Sequence, residues 1–327
     1  MHTKAVRVHY AGGPEVLKFE TVELSQPGAG QVLIRHTVIG VNMIDTYHRS
    51  ATQGQYKLTL PAILGVEAAA VVEAVGSGVE TVSVGDRVGY FNIPGAYSEK
   101  RLIDAWRLIP IPDDIDDKQA AVSFLKGATA YYLLHRVWKM APGTTILVHA
   151  AAGGVGQILS RWASRKGVTV IGTAGSDAKT KVAKDAGCAH AINYNKDDFV
   201  KKIHELTKGR GVDVVFDSVG RDTFHQSLDC LKPLGLIVNF GQASGAVEPF
   251  DISLLASKGS VFLAKPTLAT FTKNHDDLVM LADGVFTAIR EGIITADIAL
   301  TESLENAASV HEKLESRKIT GASILVP

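Results

Sequence analysis

Ala151, Gly153 and Gly156 stand at the spacing G-x-G-x-x-G, with alanine in the place of the first glycine. Glycines at this spacing can bind the pyrophosphate of a dinucleotide, because backbone without β-carbons lets the anion approach closely. The unpaired N–H groups and positive dipole of a following helix would attract the same anion. Alanine is tolerable in the first place if its φ stays negative. These residues therefore predict a dinucleotide site.

A strand and a helix must flank this turn. Residues 145–149 form a β-branched and aliphatic run that is typical of a strand buried on both faces. Residues 157–166 predict a helix, which Gly167 ends. This order of strand, turn and helix favours a dinucleotide site over a simple glycine-rich turn.

Composition limits the class of protein. The chain has 327 residues, 46% hydrophobic and 21% charged, as expected for a globular protein of two domains. Lys plus Arg and Asp plus Glu number 34 each, which argues against nucleic acid or a membrane surface as partner. Only Cys188 and Cys230 carry thiols, and no apolar leader or membrane-spanning run occurs. We therefore expect a cytoplasmic protein without a Cys-rich zinc module.

Two patterns divide the chain. Residues 4–105 read as short alternating segments between glycine turns, which are typical of a small, barrel-like β domain. Later, strands alternate with helices, which predicts a doubly wound parallel sheet of the Rossmann type and an α/β fold class. The predicted domains are a mostly β catalytic domain over 1–123 and 266–327, and a dinucleotide-binding domain over 124–265.

Helical periodicity appears after residue 116 as two predicted helices, over 117–123 and 127–139. The last strand of the Rossmann sheet is predicted over 260–264. Pairing of this apolar strand across a two-fold axis would hide a sheet edge and make a homodimer.

The end of the second strand decides which dinucleotide is expected. NAD-binding sheets place an acidic residue about 20 residues past the glycine motif, where it holds the ribose 2′-hydroxyl. Here the strand ends at Gly172 and Thr173, without a carboxylate. Thr173, Ser176 and Lys179 can supply hydroxyls and a cation to a 2′-phosphate, so the sequence favours NADPH. Asp177 is the competing ribose acid, or else the N-cap of a helix.

Two other residues have alternative interpretations. Tyr194, after the third strand, either flanks the adenosine ribose phosphate or belongs to the core. His149, inside the first strand, is expected to be a packed core histidine and not a ligand, and the histidines show no spacing typical of a metal site.

Several co-linear blocks carry a resemblance to one family. They are residues 12–17, 40–47, 64–68, 84–88, 123–129, 150–156 and 216–220. Over essentially its whole length the chain resembles the zinc-free quinone oxidoreductases of the medium-chain dehydrogenase/reductase superfamily, the group that includes ζ-crystallin. It is most similar to the bacterial NADPH:quinone reductases. The resemblance implies that the β domain is GroES-like.

The resemblance also shows where this chain departs from the zinc-dependent alcohol dehydrogenases. Asn42 and Val66 stand where those enzymes have a cysteine and a histidine ligand, and neither is a usable zinc ligand. Without a Lewis acid an alcohol is not readily deprotonated, whereas a quinone or conjugated alkene can delocalise the incoming charge onto oxygen. The resemblance therefore implies reduction of small quinones by NADPH without zinc, in the interdomain cleft. An alkenal or enone reductase is the alternative, and a non-catalytic NADPH-binding protein, crystallin-like or RNA-binding, is a third.

By resemblance, Asn42, Asp45 and Tyr47 line the pocket where nicotinamide meets substrate. Asn42 and Tyr47 could bind the acceptor oxygen or the nicotinamide amide. Asp45 either orients a neighbour or caps a turn, and no essential acid or base is predicted. Lys126 either lies near the cofactor or is a solvated charge at a helix start. The expected cofactor-binding residues are Asn42, Lys126, Thr129, Gly153, Gly154, Val155, Gly172, Thr173, Ser176, Lys179, Tyr194, Ser218, Val219, Phe240, Gly241, Ser244, Lys265, Thr267 and Arg317.

Overall fold

Strands dominate the first hundred residues, and strands alternating with helices follow them. A computed structural model describes residues 1–316, 319 and 321–327. The chain divides into two compact units, one of Met1–Ala128 with Phe271–Pro327 and one of Thr129–Thr270. The first unit is discontinuous in sequence, because the second is inserted between its two parts.

The described residues contain strands and helices in the following order along the chain. The strands are β1 His2–Val8, β2 Lys18–Glu23, β3 Gln31–Val41, β4 Ala62–Ile63, β5 Glu67–Val75, β6 Arg87–Phe91, β7 Lys100–Asp104, β8 Ile109–Pro110, β9 Thr145–Val148, β10 Thr169–Ala174, β11 His190–Asn193, β12 Val212–Asp217, β13 Leu231–Asn239, β14 Phe262–Ala264, β15 Ile298–Ser303 and β16 Ala322–Val326. The helices are α1 Met43–Ser50, α2 Asp117–Tyr132, α3 Gly154–Arg165, α4 Asp177–Asp185, α5 Phe199–Leu206, α6 Phe224–Asp229, α7 Ser253–Ser257, α8 His275–Arg290 and α9 Ala307–Glu315.

The first unit is built on two mainly antiparallel sheets. The larger has the order β15-β16-β3-β5-β6-β8, with β7 also paired to β3, and the smaller has the order β2-β1-β4. Inward side chains such as Ile34, Val88 and Leu325 are buried in a shared apolar core, as alternation along a strand requires. β16 pairs antiparallel with β3, with Ile324 opposite Gly40. The end of the chain thus joins a sheet that begins near its start.

The predicted break between two helices after residue 123 is wrong. α2 runs without interruption from Asp117 to Tyr132, and a π-helical turn over Leu133–Val137 follows it. Gly127 lies inside α2, where a β-carbon would come within 2.7 Å of Ile294 and 2.9 Å of Val285. This glycine therefore allows close packing against α8 and the residues after it.

The second unit is a parallel sheet of six strands in the order β11-β10-β9-β12-β13-β14. This order matches the doubly wound arrangement 3-2-1-4-5-6, whose strand order reverses between its first and fourth strands, here β9 and β12. Leu147, Ile171, Val215 and Ile237 bury one side chain from each central strand. The predicted α/β class with a parallel Rossmann sheet is confirmed.

α2 and α8 have 16 residues each. In the part of the chain that the structure describes, no helix combines the length and apolarity needed to cross a membrane.

Candidate active site

The turn after β9 has the backbone conformation that close approach of an anion requires. Ala150, and not Ala151, adopts a left-handed conformation, with φ 50°. The condition placed on alanine in the first glycine position is therefore met. Gly153 precedes α3 with φ −77°, and its N–H donates to the Ala150 carbonyl at 2.8 Å. α3 begins at Gly154, so the first N–H groups of this helix follow the turn directly.

Gly156 is needed because the turn and α3 lie in direct contact. A β-carbon at this position would lie 2.4 Å from the Ala150 carbonyl oxygen and 2.8 Å from the Ala151 Cα. Both obstacles are backbone atoms, which cannot move as a flexible side chain can.

We expect Gly156→Ala to lower the free energy of unfolding by about 1–3 kcal/mol, as forced overpacking does. Urea denaturation measures this loss. Gly153→Ala is the comparison variant, because its methyl group would lie 3.1 Å from the same carbonyl oxygen. It should be clearly milder, and equal losses in the two variants would contradict the packing argument.

The end of β10 differs from the prediction at Thr173. This side chain is buried, and its Oγ1 lies 2.9 Å from His149 Nδ1, whose Nε2 lies 2.8 Å from Ser227 Oγ. The expectation that the Thr173 hydroxyl faces a phosphate is wrong, since it takes part in this internal network. His149 is a core histidine as predicted, and burial lowers its pKa. Gly172, next to Thr173, packs too closely against its surroundings for any side chain, because a β-carbon there would lie 2.8 Å from the Cys188 sulfur.

Two residues predicted for the 2′-phosphate, Ser176 and Lys179, lie at the start of α4, and Tyr194 reaches this place from the end of β11. Ser176 is the N-cap, and its Oγ accepts a hydrogen bond from the Lys179 backbone N–H at 3.3 Å. Tyr194 is 45% exposed, so its interpretation as a core tyrosine is wrong. Its hydroxyl lies over Gly175, 2.6 Å from where a β-carbon would stand. A hydroxyl, a phenol and a lysine thus share one corner of the second unit.

Asp177 is engaged in ion pairing at the surface. Its two carboxylate oxygens lie 2.5 Å from Lys196 Nζ and 2.7 Å from Asn193 Nδ2. The hydrogen bond from Lys196 is the main reason why the pKa of Asp177 is lowered. Because Ser176 is the N-cap, the N-cap interpretation of Asp177 is wrong. Its existing partners also disfavour a role as the ribose acid.

The loops after β12 and β13 hold five of the expected cofactor-binding residues, namely Ser218, Val219, Phe240, Gly241 and Ser244. Hydrogen bonds join the two loops, since the Phe240 N–H donates to the Asp217 carbonyl at 2.9 Å and the Ser244 hydroxyl donates to the Val219 carbonyl at 2.8 Å. A β-carbon on Gly241 would lie 2.6 Å from the Ser218 carbonyl oxygen. These residues form one rim at the carboxyl edge of the sheet, where such sheets bind ligands.

Two polar residues at this edge were missed from the sequence. Asn239 Oδ1 accepts a hydrogen bond from Lys265 Nζ at 2.6 Å. Asp217 Oδ1 accepts from the N–H groups of Val219 and Gly220 at 2.8 and 3.0 Å. Each residue follows three buried apolar residues at the end of its strand, and that change of polarity was the usable signal. Thr267 is half-buried, with its hydroxyl 3.4 Å from that of Thr270.

In the first unit, the three residues expected to line the pocket lie in α1 or directly before it. Asn42 precedes the helix and is buried, and its Nδ2 donates to Glu67 Oε1 at 2.7 Å. Asp45 Oδ2 accepts from the Asn42 backbone N–H at 2.8 Å, so Asp45 does cap the start of this helix. Tyr47 is half-buried, with its ring centroid 5.2 Å from that of Tyr56. Asn42, Asp45 and Glu67 thus form one polar cluster.

Burial has the largest influence on the pKa values of the two carboxyl groups in this cluster. It raises the pKa of Asp45 to about 7, against hydrogen bonds from the Asn42 backbone and the Tyr97 hydroxyl that lower it. It also raises the pKa of Glu67, whereas the positive charge of Lys126 lowers it. Lys126 Nζ lies 3.8 Å from Glu67 Oε1, and its side chain is only 18% exposed. Lys126 lies well inside α2, so its interpretation as a solvated charge at a helix start is wrong.

Two remaining expectations concern Thr129 and Arg317. Thr129 is half-buried in α2, one turn after Lys126. Arg317 lies outside the described residues. Among residues 1–316, 319 and 321–327, no group of three or more His, Cys, Asp or Glu side chains could hold a metal ion.

Comparisons with known proteins match both units. Residues 28–113 match the model of the alcohol dehydrogenase GroES-like domain, and residues 154–267 match that of the zinc-binding dehydrogenases. These matches confirm the GroES-like and Rossmann parts of the predicted fold.

Similar proteins cover almost the whole chain. A quinone oxidoreductase of Pseudomonas aeruginosa is 43% identical over 99% of this chain and 100% of its own length. A 2-haloacrylate reductase of Burkholderia is 43% identical over 99% of this chain and 98% of its own. The crystal structure of Escherichia coli quinone oxidoreductase complexed with NADPH has a TM-score of 0.95 and 41% identity, covering 99% of this chain and 100% of that one.

Proposed function

Because the chain belongs to the quinone oxidoreductases of the medium-chain dehydrogenase/reductase superfamily, we propose that it reduces small quinones with NADPH. The observation that carries this proposal is the full-length likeness to quinone oxidoreductases, one of which was solved with NADPH. The chemistry that NADPH supplies when bound is hydride transfer to the acceptor.

The residues of the second unit fit this cofactor. Gly153, Gly154 and Val155 would hold the pyrophosphate through backbone at the start of α3, with the N–H groups of Gly154 and Val155 as donors, since that of Gly153 is donated to the Ala150 carbonyl. Ser176, Lys179 and Tyr194 would hold the 2′-phosphate, since they lie at one corner while Asp177 is paired with Lys196. The rim formed by the loops after β12 and β13 would receive the nicotinamide half. Lys126, Thr129, Lys265, Thr267 and Arg317 remain further candidates for binding the cofactor.

The first unit would bind and orient the acceptor. One N–H of the Asn42 amide is donated to Glu67, which fixes the amide and leaves its second N–H for a ligand oxygen. The Tyr47 hydroxyl on α1 is the second candidate donor. Such fixed donors stabilise charge that develops on the oxygen of a quinone. Orientation of two flat rings against each other would supply much of the remaining rate enhancement.

A reductase of conjugated alkenes is the second candidate, favoured by the likeness to a 2-haloacrylate reductase. The test is the loss of NADPH absorbance with 1,4-benzoquinone, 2-hexenal and 2-chloroacrylate in parallel, with NADH as control and with a chelator added. We expect turnover of the quinone with NADPH, unaffected by the chelator. Preference for either alkene would support the second candidate. NADPH binding without turnover of any of them would favour a non-catalytic role.

We also propose a homodimer formed through β14. This strand ends the six-stranded sheet, and Phe262 and Leu263 on it are 56% and 39% exposed. An open apolar edge of this kind is suited to pairing with its own copy. Light scattering should give twice the chain mass of 34.8 kDa, and Phe262→Lys should reduce it. A monomeric mass for the unaltered protein would contradict the proposal.

A cytoplasmic location is part of the same proposal. It is supported by Cys188 and Cys230, which are both free, buried thiols, as suits a reducing compartment.

A further inference from the structure

A chain of buried hydrogen bonds connects α1 with α9. The Tyr97 hydroxyl lies 3.0 Å from Asp45 Oδ2 and 2.9 Å from His311 Nε2, and His311 Nδ1 lies 3.0 Å from Arg49 Nη1. All four residues are at most 3% exposed. Arg49 is held in turn by both oxygens of Glu315, at 2.7 and 3.2 Å.

Arg49 fixes the direction of every bond in this chain. A guanidinium can only donate, so His311 Nδ1 must accept and carry no proton. The neutral ring then has its proton on Nε2 and donates to Tyr97, which donates to Asp45. Burial, with the Arg49 charge second, lowers the pKa of His311 to about 3, as a neutral ring requires. Burial also raises the pKa of Tyr97 well above its usual value, so the phenol keeps its proton.

Asp45 is the final acceptor and lies beside the proposed acceptor site. Its Oδ2 binds both the Tyr97 hydroxyl and the Asn42 backbone N–H. The Asn42 side chain is bound to Glu67. Asp45 Oδ1 accepts no hydrogen bond from the described residues, so a proton can bind there without displacing either donor from Oδ2. The strength of the hydrogen bond that holds the Asn42 backbone therefore depends on the charge and orientation of Asp45.

We propose that Tyr97 and His311 are positioning residues of the active site, which act through Asp45 to hold Asn42 and the start of α1. The role given to Asn42 rests on the proposed function, whereas the hydrogen-bond chain does not. No sequence motif singled out either residue.

The groups around Asp45 determine whether loss of the Tyr97 hydroxyl raises or lowers the pKa of Asp45. Tyr97, Glu67 from β5 and Lys126 from α2 influence it directly, and Arg49 and His311 act through Tyr97. Tyr90 from β6 also senses the Asp45 charge, but its hydroxyl is bound to His36 and not to Asp45. The hydroxyl of Tyr97 lowers the pKa of Asp45. Its removal should therefore raise that pKa, so that Asp45 becomes protonated at a higher pH and binds the Asn42 N–H more weakly.

The test compares Tyr97→Phe with Tyr90→Phe. Tyr90 is equally buried in the same unit, and its hydroxyl is bound to another histidine, His36 Nε2, at 2.7 Å. In Tyr97→Phe we expect kcat for quinone reduction at pH 7 to fall by roughly tenfold, with a smaller change in the KM for NADPH. The acidic limb of its pH profile should move to higher pH by roughly one unit. Tyr90→Phe should keep the profile of the unaltered protein, and coinciding profiles for both variants would overturn the proposal.

Infrared titration of the Asp45 carboxyl band, identified with Asp45→Asn, needs no enzymatic activity. The band should titrate at higher pH in Tyr97→Phe even if no quinone is reduced. This result separates a failure of the proposed hydrogen-bond chain from a failure of the proposed function. A band that titrates at the same pH in both proteins would overturn the proposal. If Tyr97→Phe does not fold, His311→Gln and His311→Leu replace it. Glutamine can accept from Arg49 and donate to Tyr97, so His311→Gln should retain the pH profile of the unaltered protein, whereas His311→Leu should lose it.

Discussion

Replacement of Glu67 by alanine is expected to lower the free energy of unfolding by about 3–5 kcal/mol, as loss of one partner from a buried ion pair does. Glu67 is fully buried in β5, and its oxygens accept hydrogen bonds from Asn42 Nδ2 and the Leu125 backbone N–H at 2.7 Å each. Lys126 lies 3.8 Å away and is also largely buried. Alanine would remove the carboxylate that contacts all three groups. Urea denaturation at neutral pH measures the loss.

Glu73→Ala provides a matched control on the same strand. Glu73 pairs with Arg35 at 3.1 Å and with Lys100 at 2.7 Å, but all three side chains are partly exposed. Pairs of this kind contribute about 0–1 kcal/mol each. Glu67→Gln, which keeps one acceptor, should be intermediate. If Glu67→Ala proves as mild as Glu73→Ala, the buried cluster does not stabilise the first unit in the way described.

Lys179→Ala is expected to weaken NADPH binding by about 10- to 100-fold, because hydrogen bonds to charged groups contribute about 1.5–3 kcal/mol. NADH lacks the 2′-phosphate, so its affinity should change little. Titration of the two cofactors by fluorescence gives both dissociation constants.

Lys181→Ala is the matched control for this variant. Lys181 is an exposed lysine on the same helix, α4, two residues further along. It should leave the ratio of the two affinities unchanged. Equal losses for NADPH and NADH in Lys179→Ala would mean that the 2′-phosphate is bound elsewhere.

Local patterns in the sequence predicted the elements of the second unit well. The glycine spacing and the alternation of strands and helices depend on neighbouring residues, so they are visible along the chain. The direction in which a side chain points at the end of a strand is not visible in this way. Thr173 therefore looked like a phosphate ligand, although its hydroxyl lies in a buried network with His149. Likewise, the predicted gap between helices 117–123 and 127–139 was wrong, because Gly127 packs inside α2 against Val285 and Ile294, which are distant in sequence.

The polar cluster of the first unit was only partly predictable for the same reason. Asn42 and Asp45 lie in one short block and were found together. Tyr97 and His311 are 214 residues apart, and only the pairing of distant segments brings their side chains within 2.9 Å. Neither residue carries a motif, since a tyrosine or a histidine alone is typical of many buried positions.

The pairing of β16 with β3 has a consequence for the chain during its synthesis. All six strands of the second unit precede residue 265, whereas β15 and β16 of the larger sheet are made last. Since domains fold as units while the ribosome adds residues in order, the second unit can complete its sheet while β3 still has an unpaired edge. Because Ile324 must reach Gly40, the first unit cannot close its larger sheet before β16 has been synthesised, and a nascent chain exposes this edge until then.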